Sequence, residues 1–468
     1  MIAHLKPYSE YKESGLPWLG RVPEYWGHLR AKYIFREVDE RSATGREELL
    51  SVSHLTGVTP RSQKTVTMFL AKSNVGHKIC RPGDAVINTM WAWMGALGVT
   101  RHAGIVSPAY GVYRPREGCD VLPSYADHLL RTPAYAAEYQ RRSTGVNSSR
   151  LRLYPEQFLS IAVVLPPLAE QTSIVRFLDW ANGRLERAIR AKRKVIALLN
   201  EQKQATIHRA VTRGLDPAVP LRPSGIPWLG DIPRHWKVMP LKRICSLVRD
   251  GTHLPPARTL TGFPLLSVRN MVGGRLVRRP DDSFISKADF EKLNTSFVVR
   301  PNDVLMAIVG ATLGKVAIVD DIGPFQIQRS VSILRPRPEL MSHDFLAAFL
   351  RSPRLQQHLW QSVAFSAQPG IYLGFLANIS VPTPPTLDEQ VSINVGLQRE
   401  FSPISAAISR LEREIDLLRE YRTRLVADVV TGKLDVREAA AQLPDEAPSE
   451  TAEEDTIDPE AAEEAAVA

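Results

Sequence analysis

The sequence is written twice, and no other feature constrains the fold as much. Pro17-Trp18-Leu19-Gly20, with Pro23 and Trp26 after it, recurs as Pro227-Trp228-Leu229-Gly230 with Pro233 and Trp236, a shift of 210 throughout. Leu49-Leu50-Ser51-Val52 returns as Leu265-Leu266-Ser267-Val268, and Arg81-Pro82-Gly83-Asp84 as Arg300-Pro301-Asn302-Asp303. Pro166-Pro167 ahead of Glu170-Gln171 matches Pro384-Pro385 ahead of Glu389-Gln390, and Val211-Thr212 with Leu215-Asp216 matches Val430-Thr431 with Leu434-Asp435. The later blocks settle at a shift of 218 to 219, so the copies are collinear with small insertions. A chain of 468 residues could hold about three folding units. The repeat makes it two tandem copies.

Composition narrows the class. Hydrophobic residues at 44% and charged residues at 23% describe a soluble chain able to bury substantial cores. Cys80, Cys119 and Cys245 form no paired-cysteine motif, which argues against a structural zinc and fits a reducing compartment. The N-terminal residues lack a signal-peptide core, and the longest apolar run, Val304 to Gly314, is too short to span a bilayer. A cytoplasmic protein without a membrane partner is expected. The net charge of +9 hides two populations: residues 436–468 hold eleven acids and one base, leaving +19 on residues 1–435. The body calls for a polyanion, and a disordered acidic tail is expected over 437–468.

Each copy reads in two parts. The first mixes β-rich runs, such as Asp84 to Ile87, Gly98 to Thr100, Val298 to Arg300 and Val316 to Val319, with helical patches at Tyr125 to Leu130 and Asp344 to Leu350. This is an α+β globule, over residues 1–166 in copy one and 217–384 in copy two. The second part is helical, over 167–216 and 385–436. Glu170-Gln171 and Glu389-Gln390 open helices that are expected to break at Asn182-Gly183 and at Ser402-Pro403, then run to about Thr212 and Thr431. Gly214 and Gly432 act as stops. Along the second helix Ile404, Ile408, Leu411, Ile415, Leu418, Arg422, Leu425 and Val429 keep 4-3 spacing. The equivalent positions of the first are Leu185, Ile189, Lys192, Ile196, Leu199, Lys203, Thr206 and Ala210. Both are coiled-coil seams. A parallel pairing would oppose Lys203 and Arg422, whereas an antiparallel one separates them and suits two like units related by a pseudo-two-fold axis. About 28 residues at roughly 1.5 Å each give a rod on the order of 42 Å, slightly more than one turn of B-DNA.

On these features the chain resembles the specificity subunit of type I restriction–modification enzymes. The resemblance is carried by Pro17 to Trp26, Leu49-Leu50-Ser51-Val52-Ser53-His54, Gly104-Ile105-Val106-Ser107-Pro108-Ala109-Tyr110, and Pro166-Pro167-Leu168-Ala169-Glu170-Gln171. Gly310-Ala311-Thr312-Leu313-Gly314-Lys315 and Gln328-Arg329-Ser330-Val331 add to it, and it extends from about residue 7 to 437. It implies that each globule is a target recognition domain reading one half of a bipartite duplex DNA site. It also implies that the two helices form a spacer that docks two modification (methyltransferase) subunits, with ATP-dependent restriction subunits joining the complex. S-adenosylmethionine, ATP and magnesium are then expected on those partners and not on this chain. The acidic tail is outside the family pattern.

The copies diverge where DNA would lie: Asn88 to Gly95 in one, Ala307 to Gly314 in the other. An asymmetric target is expected. Base edges and phosphates are met by Arg, Lys, Asn, Gln, Ser and Thr. Candidates in copy one are His54, Lys78, Trp91, Trp93, Arg101, Arg141, Arg142, Asn147, Ser148 and Arg150. In copy two they are Arg269, Asn270, Thr312, Lys315, Gln326, Gln328, Arg329, Ser366, Gln368 and Tyr372. Each cation could instead be a solvated surface charge. Alternation puts Trp91 and Trp93 on one strand face, where core packing is the favoured reading.

Gly310 to Val316 has three residues between its glycines and no Ser or Thr for magnesium, so it is not a phosphate loop. There is no Asn-Pro-Pro-aromatic motif of amino-methyltransferases, and Pro280-Asp281-Asp282 has no acid-x-Lys element in register after it. The histidines show no metal-ligand spacing. A non-catalytic subunit is expected; the competing reading is a coiled-coil adaptor whose basic globules bind protein or RNA.

Overall fold

In each copy the strand that follows the duplicated Pro-x-x-Trp is paired with the strand that leads into a long helix. Gly27–Arg30 runs antiparallel to Ala162–Leu165, and Lys237–Pro240 antiparallel to Ser380–Thr383. These pairings close each globule between its own ends. They appear in a computed structural model that describes residues 5–63, 73–145, 151–254, 256–363 and 369–444. The chain divides into two units, residues 1–192 with 413–468 and residues 193–412.

The first unit holds an antiparallel four-stranded sheet in the order Phe35–Glu37, Gly111–Pro115, Ala85–Ile87, Leu97–Val99. The second holds a six-stranded sheet in the order Cys245–Asp250, Val331–Pro336, Val304–Ala307, Val316–Ile318, Arg275–Leu276, Met271–Val272. Its first four strands repeat the four of the first unit. The Arg-Pro-Gly-Asp turn explains its own duplication. Asp84 accepts from the Arg81 amide at 2.9 Å and pairs two-pronged with Arg114 on the neighbouring strand, at 3.0 and 3.0 Å. Asp303 does the same for the Arg300 amide at 2.7 Å and for Arg335 at 2.7 and 2.8 Å. Between Arg and Asp the backbone is left-handed, with φ of 91° at Gly83 and 69° at Asn302, and Gly and Asn are the residues that tolerate it. The run Val298 to Arg300, expected as a strand, is irregular. It leads into this turn.

The long helices are Leu168–Arg213 and Leu387–Val430. Their openings are fixed by buried side chains. Glu170 accepts from Tyr8 Oη at 2.6 Å, Tyr25 Oη at 3.2 Å and Trp26 Nε1 at 3.3 Å. Glu389 accepts from Trp236 Nε1 at 2.8 Å. The fully buried Gln171 donates to the carbonyls of Asp120 and Pro166 and accepts from the Leu122 amide. Gln390 does likewise with the carbonyls of Leu340 and Pro384 and the Ser342 amide. The repeated Trp and Glu-Gln are thus halves of one contact.

Neither helix breaks where the sequence suggested. Asn182-Gly183 and Ser402-Pro403 lie inside continuous helix. Pro403 costs the Arg399 carbonyl its helical donor, about 3 kcal/mol by itself, and packing outweighs that. In the first unit Leu425, Val429, Val430, Val436 and Ala440 share a core with Trp26, Tyr113, Phe158 and Phe177. In the second, Ile207, Ala210 and Val211 share one with Trp236, Phe345, Phe349 and Ile393. Each unit therefore contains the beginning of one long helix and the end of the other.

Inside each unit the two helical stretches run antiparallel. In the first, Lys192 Nζ meets Glu414 at 2.6 Å and Arg422 meets Glu186 at 3.2 Å, so numbers rise on one helix as they fall on the other. In the second, Lys203 Nζ donates to Ser405 Oγ at 3.1 Å, and Arg209 lies 4.0 Å from Glu400. Of the seam residues Leu185, Ile189, Ile415, Leu425 and Val429 are buried, and Ile196, Leu199, Ile404, Ile408, Leu411 and Leu418 are half-buried. Lys203 and Arg422 do not simply reach water. Lys203 lies 5.3 Å from the Phe401 ring and Arg422 on Glu186.

The disorder expected from residue 437 does not hold over 437–444. Arg437–Ala441 is a short helix, with Ala440 buried and Val436 and Leu443 buried on either side of it. Arg437 pairs with Asp435 at 2.6 Å and lies over the rings of Tyr8 and Tyr25. Apolar Val436, Ala440 and Leu443 give this stretch something to bury, which an acid count overlooks. Residues 445–468 lie outside the described residues.

Candidate nucleic-acid interface

Antiparallel neighbours in a sheet bring two loops together at each end. In the first unit Ile87 is opposite Gly111. The loop leaving one strand, Asn88 to Gly95, therefore meets the loop entering the other, Ser107 to Tyr110. Asn88 Nδ2 donates to Tyr110 Oη at 3.1 Å and Thr89 Oγ1 to the Ala109 carbonyl at 2.9 Å. The Leu153 amide donates to the Thr89 carbonyl at 3.0 Å and draws in a third segment. Thr89, Tyr110, Arg152 and Tyr154 line a cleft of about 150 Å³ with Glu37 and Lys78. Arg152, Tyr154, Met90 and Trp91 are exposed beside it. Burial raises the Tyr110 phenol above its ordinary pKa, so it stays a protonated donor and acceptor.

The second unit builds the same end with different chemistry. Ala307 is opposite Val331, so 308–315 meets 328–330. The Ile308 amide donates to the Ser330 carbonyl at 2.9 Å, Ile371 to Ile308 at 2.9 Å, and Gly310 to Pro369 at 2.8 Å. The Thr252 amide bonds the Ile327 carbonyl at 3.1 Å, adding the segment around Leu254. Thr312, Lys315, Arg329, Tyr372 and Leu254 are exposed here and Gln328 is half-buried. Gly95 and Gly314 end their loops with φ of 86° and 88°, and a Cβ on Gly314 would overlap Gln356. The framework glycine is therefore kept while the side chains before it vary.

Of the sequence-based candidates, Thr312, Lys315, Gln328, Arg329 and Tyr372 are brought together, and Trp91 sits on the first unit's face. Trp91 and Trp93 do not alternate on a strand. Ala92–Met94 is a 3-10 turn, Trp91 precedes it, and Trp93 Nε1 donates to the Met90 carbonyl at 3.1 Å. Other candidates are engaged within the protein. Lys78 is buried, its ammonium 3.7 Å from Asp39. Arg141 and Arg142 converge at 2.7 and 2.6 Å on Glu138, itself 1% exposed. The hydrogen bond from Arg141, then that from Arg142, holds this carboxyl below the usual range. Arg269 pairs with Asp281 at 2.8 Å. Buried Asn270 donates to Asp282 and the Val277 carbonyl, and buried Gln326 to Asn294 and the Phe297 carbonyl. Arg101 lies at the opposite end of the sheet, one residue beyond Thr100, whose carbonyl accepts from Gly83. The His54 carbonyl accepts from Arg131, which pairs with Asp127. Asn147, Ser148, Arg150, Ser366 and Gln368 lie outside the described residues. Arg152 and Tyr154 are not among the residues that the sequence singles out. The signal was there, because Tyr154 stands 218 positions before Tyr372.

No family model matches the chain. The specificity subunit of the type I restriction enzyme EcoBI of Escherichia coli is 25% identical over 277 residues, which cover 58% of this chain and 58% of that one. The EcoKI specificity subunit of Escherichia coli strain K12 is 22% identical over 331 residues, 69% of this chain and 68% of its own length. This chain is similar to type I specificity subunits. Its match spans less than two thirds of the EcoBI relative's length. A solved chain from a study of complex assembly and conformational transition in a type I R-M system shares the fold. It has a TM-score of 0.59 and 19% identity, and the match covers 88% of this chain and 99% of that one. The likeness in fold thus extends over most of the chain. Among the described residues there is no group of metal-ligating side chains and no helix long and apolar enough to cross a membrane.

Proposed function

We propose that the chain is the DNA-specificity subunit of a type I restriction–modification complex, binding an asymmetric bipartite duplex site through two target recognition domains. The observation that carries this is a duplicated framework, kept down to the Asp84–Arg114 and Asp303–Arg335 pairs, that presents two chemically different loop faces. Sequence similarity to named specificity subunits supports it. The first face offers Trp91, Arg152 and Tyr154, the second Thr312, Lys315, Gln328, Arg329 and Tyr372. Arg and Lys position the backbone, while amide and hydroxyl groups read base edges. In this reading residues 1–166 and 217–384 are the recognition domains. The antiparallel coiled coil over 167–216 and 385–436 sets the gap between half-sites and, with pseudo-two-fold symmetry, docks two modification subunits. Restriction subunits join that assembly. Methyl transfer, ATP hydrolysis and cleavage, with S-adenosylmethionine, ATP and magnesium, belong to the partners, in the cytoplasm. Sequencing of modified bases in cells with and without the gene tests the reading. A split, asymmetric methylated motif should disappear with the gene and return with it; an unchanged methylation pattern would contradict it.

A further inference from the structure

The first long helix carries a basic stripe that nothing in the proposed recognition of DNA uses. Arg176, Arg184, Arg187 and Arg190 are all exposed. At 100° per residue they fall within an arc of roughly 120° on one side of the helix. Arg187 and Arg190 make no ion pair among the described residues, and Arg184 lies 5.1 Å from the Trp180 ring. Of the acids nearby on the same helix, Glu186 takes Arg422, while Asp179 is exposed, 3.8 Å from His128, and offsets part of the stripe's charge. Four like charges on one face repel one another and attract any polyanion.

The chain's own polyanion starts on this stripe. Arg176 Nη2 donates to the carbonyls of Leu443 at 2.8 Å and Pro444 at 3.2 Å. The anchor is firm, because Val436, Ala440 and Leu443 are buried and Arg437 sits on Tyr8 and Tyr25. Residue 445 is the first of ten acids in 445–468, a stretch with no Lys or Arg. From Arg176 to Arg190 the helix advances about 21 Å. A coil of 24 residues has a mean reach of about 27 Å. The acids thus begin where the stripe begins, with length enough to follow it.

We propose that residues 445–468 occupy the Arg176–Arg190 face of the first long helix as an intramolecular counter-charge. The segment keeps other polyanions off the helix, so that phosphate attraction is confined to the loop faces. The tethered acids compete at millimolar effective concentration and yield as salt screens them.

The test uses the full-length chain carrying Arg187→Lys and Arg190→Lys, which keep the charge and add amines. Zero-length carbodiimide coupling in dilute protein, read by peptide mass spectrometry, should link residues 187 and 190 to carboxylates in 445–468. The expected yield is about tenfold above that from exposed Lys32 or Lys287, and it should collapse between about 50 mM and 1 M salt. Equal yields from all these lysines, no link at 187 and 190, or links only between two molecules would overturn the proposal. The readout involves no DNA, so it stands or falls apart from the proposed recognition function.

Discussion

At the scale of single residues, the side chains that recur between the copies do so because they bond to one another. Glu170 gathers two phenols and an indole N–H from the N-terminal segment, and burial, followed by the bond to Glu170, raises the Tyr25 pKa to about 12. Removing that acceptor leaves buried donors unpaired. Glu170→Ala should cost about 2–4 kcal/mol in the first unit, read as a lowered unfolding midpoint by calorimetry. An unchanged midpoint would mean that water replaces the carboxylate at no cost. On the candidate interface, Arg329 is exposed and makes no ion pair among the described residues, so Arg329→Ala should leave stability alone. It should lower the slope of log affinity against log salt by about one and relax one half-site only. Loss at both half-sites would show that Arg329 does not belong to one domain's face. Cations were the hardest residues to assign from sequence. Lys78 and Asp39 meet only through folding, so nothing local distinguishes Lys78 from a free charge. Arg141 and Arg142, expected to contact DNA, instead pair with Glu138, and the spacing of three and four residues along a helix carried that signal.

At the scale of elements, helix periodicity survives folding and local helix-breaking signals do not. The 4-3 spacing marked the less exposed line of both helices, since that spacing is itself the product of burial. Gly183 and Pro403 favour breaks by local propensity, and tertiary contacts on both sides carry the helix through them. Short strands were partly legible: Ala85–Ile87 and Val316–Ile318 are there, whereas Val298 to Arg300 looked β-branched but feeds a turn. If the paired helices set the gap between half-sites, inserting one heptad in both should lengthen the unspecified spacer. Seven residues add about 10.5 Å, or about three base pairs. A target with its old spacing, selected by the lengthened protein, would remove the helices from that role.

At the scale of the whole molecule, the duplication decides how the chain is cut into folding units. The first unit's core needs Leu425, Val429 and Val430 from the end of the second long helix. A fragment ending at residue 217 lacks them. It carries Ile207, Ala210 and Val211, which occupy the matching places in the second unit. Such a fragment should self-associate, seen as a doubled or larger mass by light scattering; a stable monomer would show that the contribution of the second helix is dispensable. The central claim is that two unlike loop faces on one framework read two unlike half-sites. It is tested most directly by selecting bound duplexes from a random pool with the full chain, co-expressed with a neighbouring methyltransferase, at two salt concentrations. The account predicts a two-part asymmetric consensus with a fixed gap that survives the higher salt. Binding that fades with salt and leaves no consensus would contradict it, since charge alone would then account for the affinity.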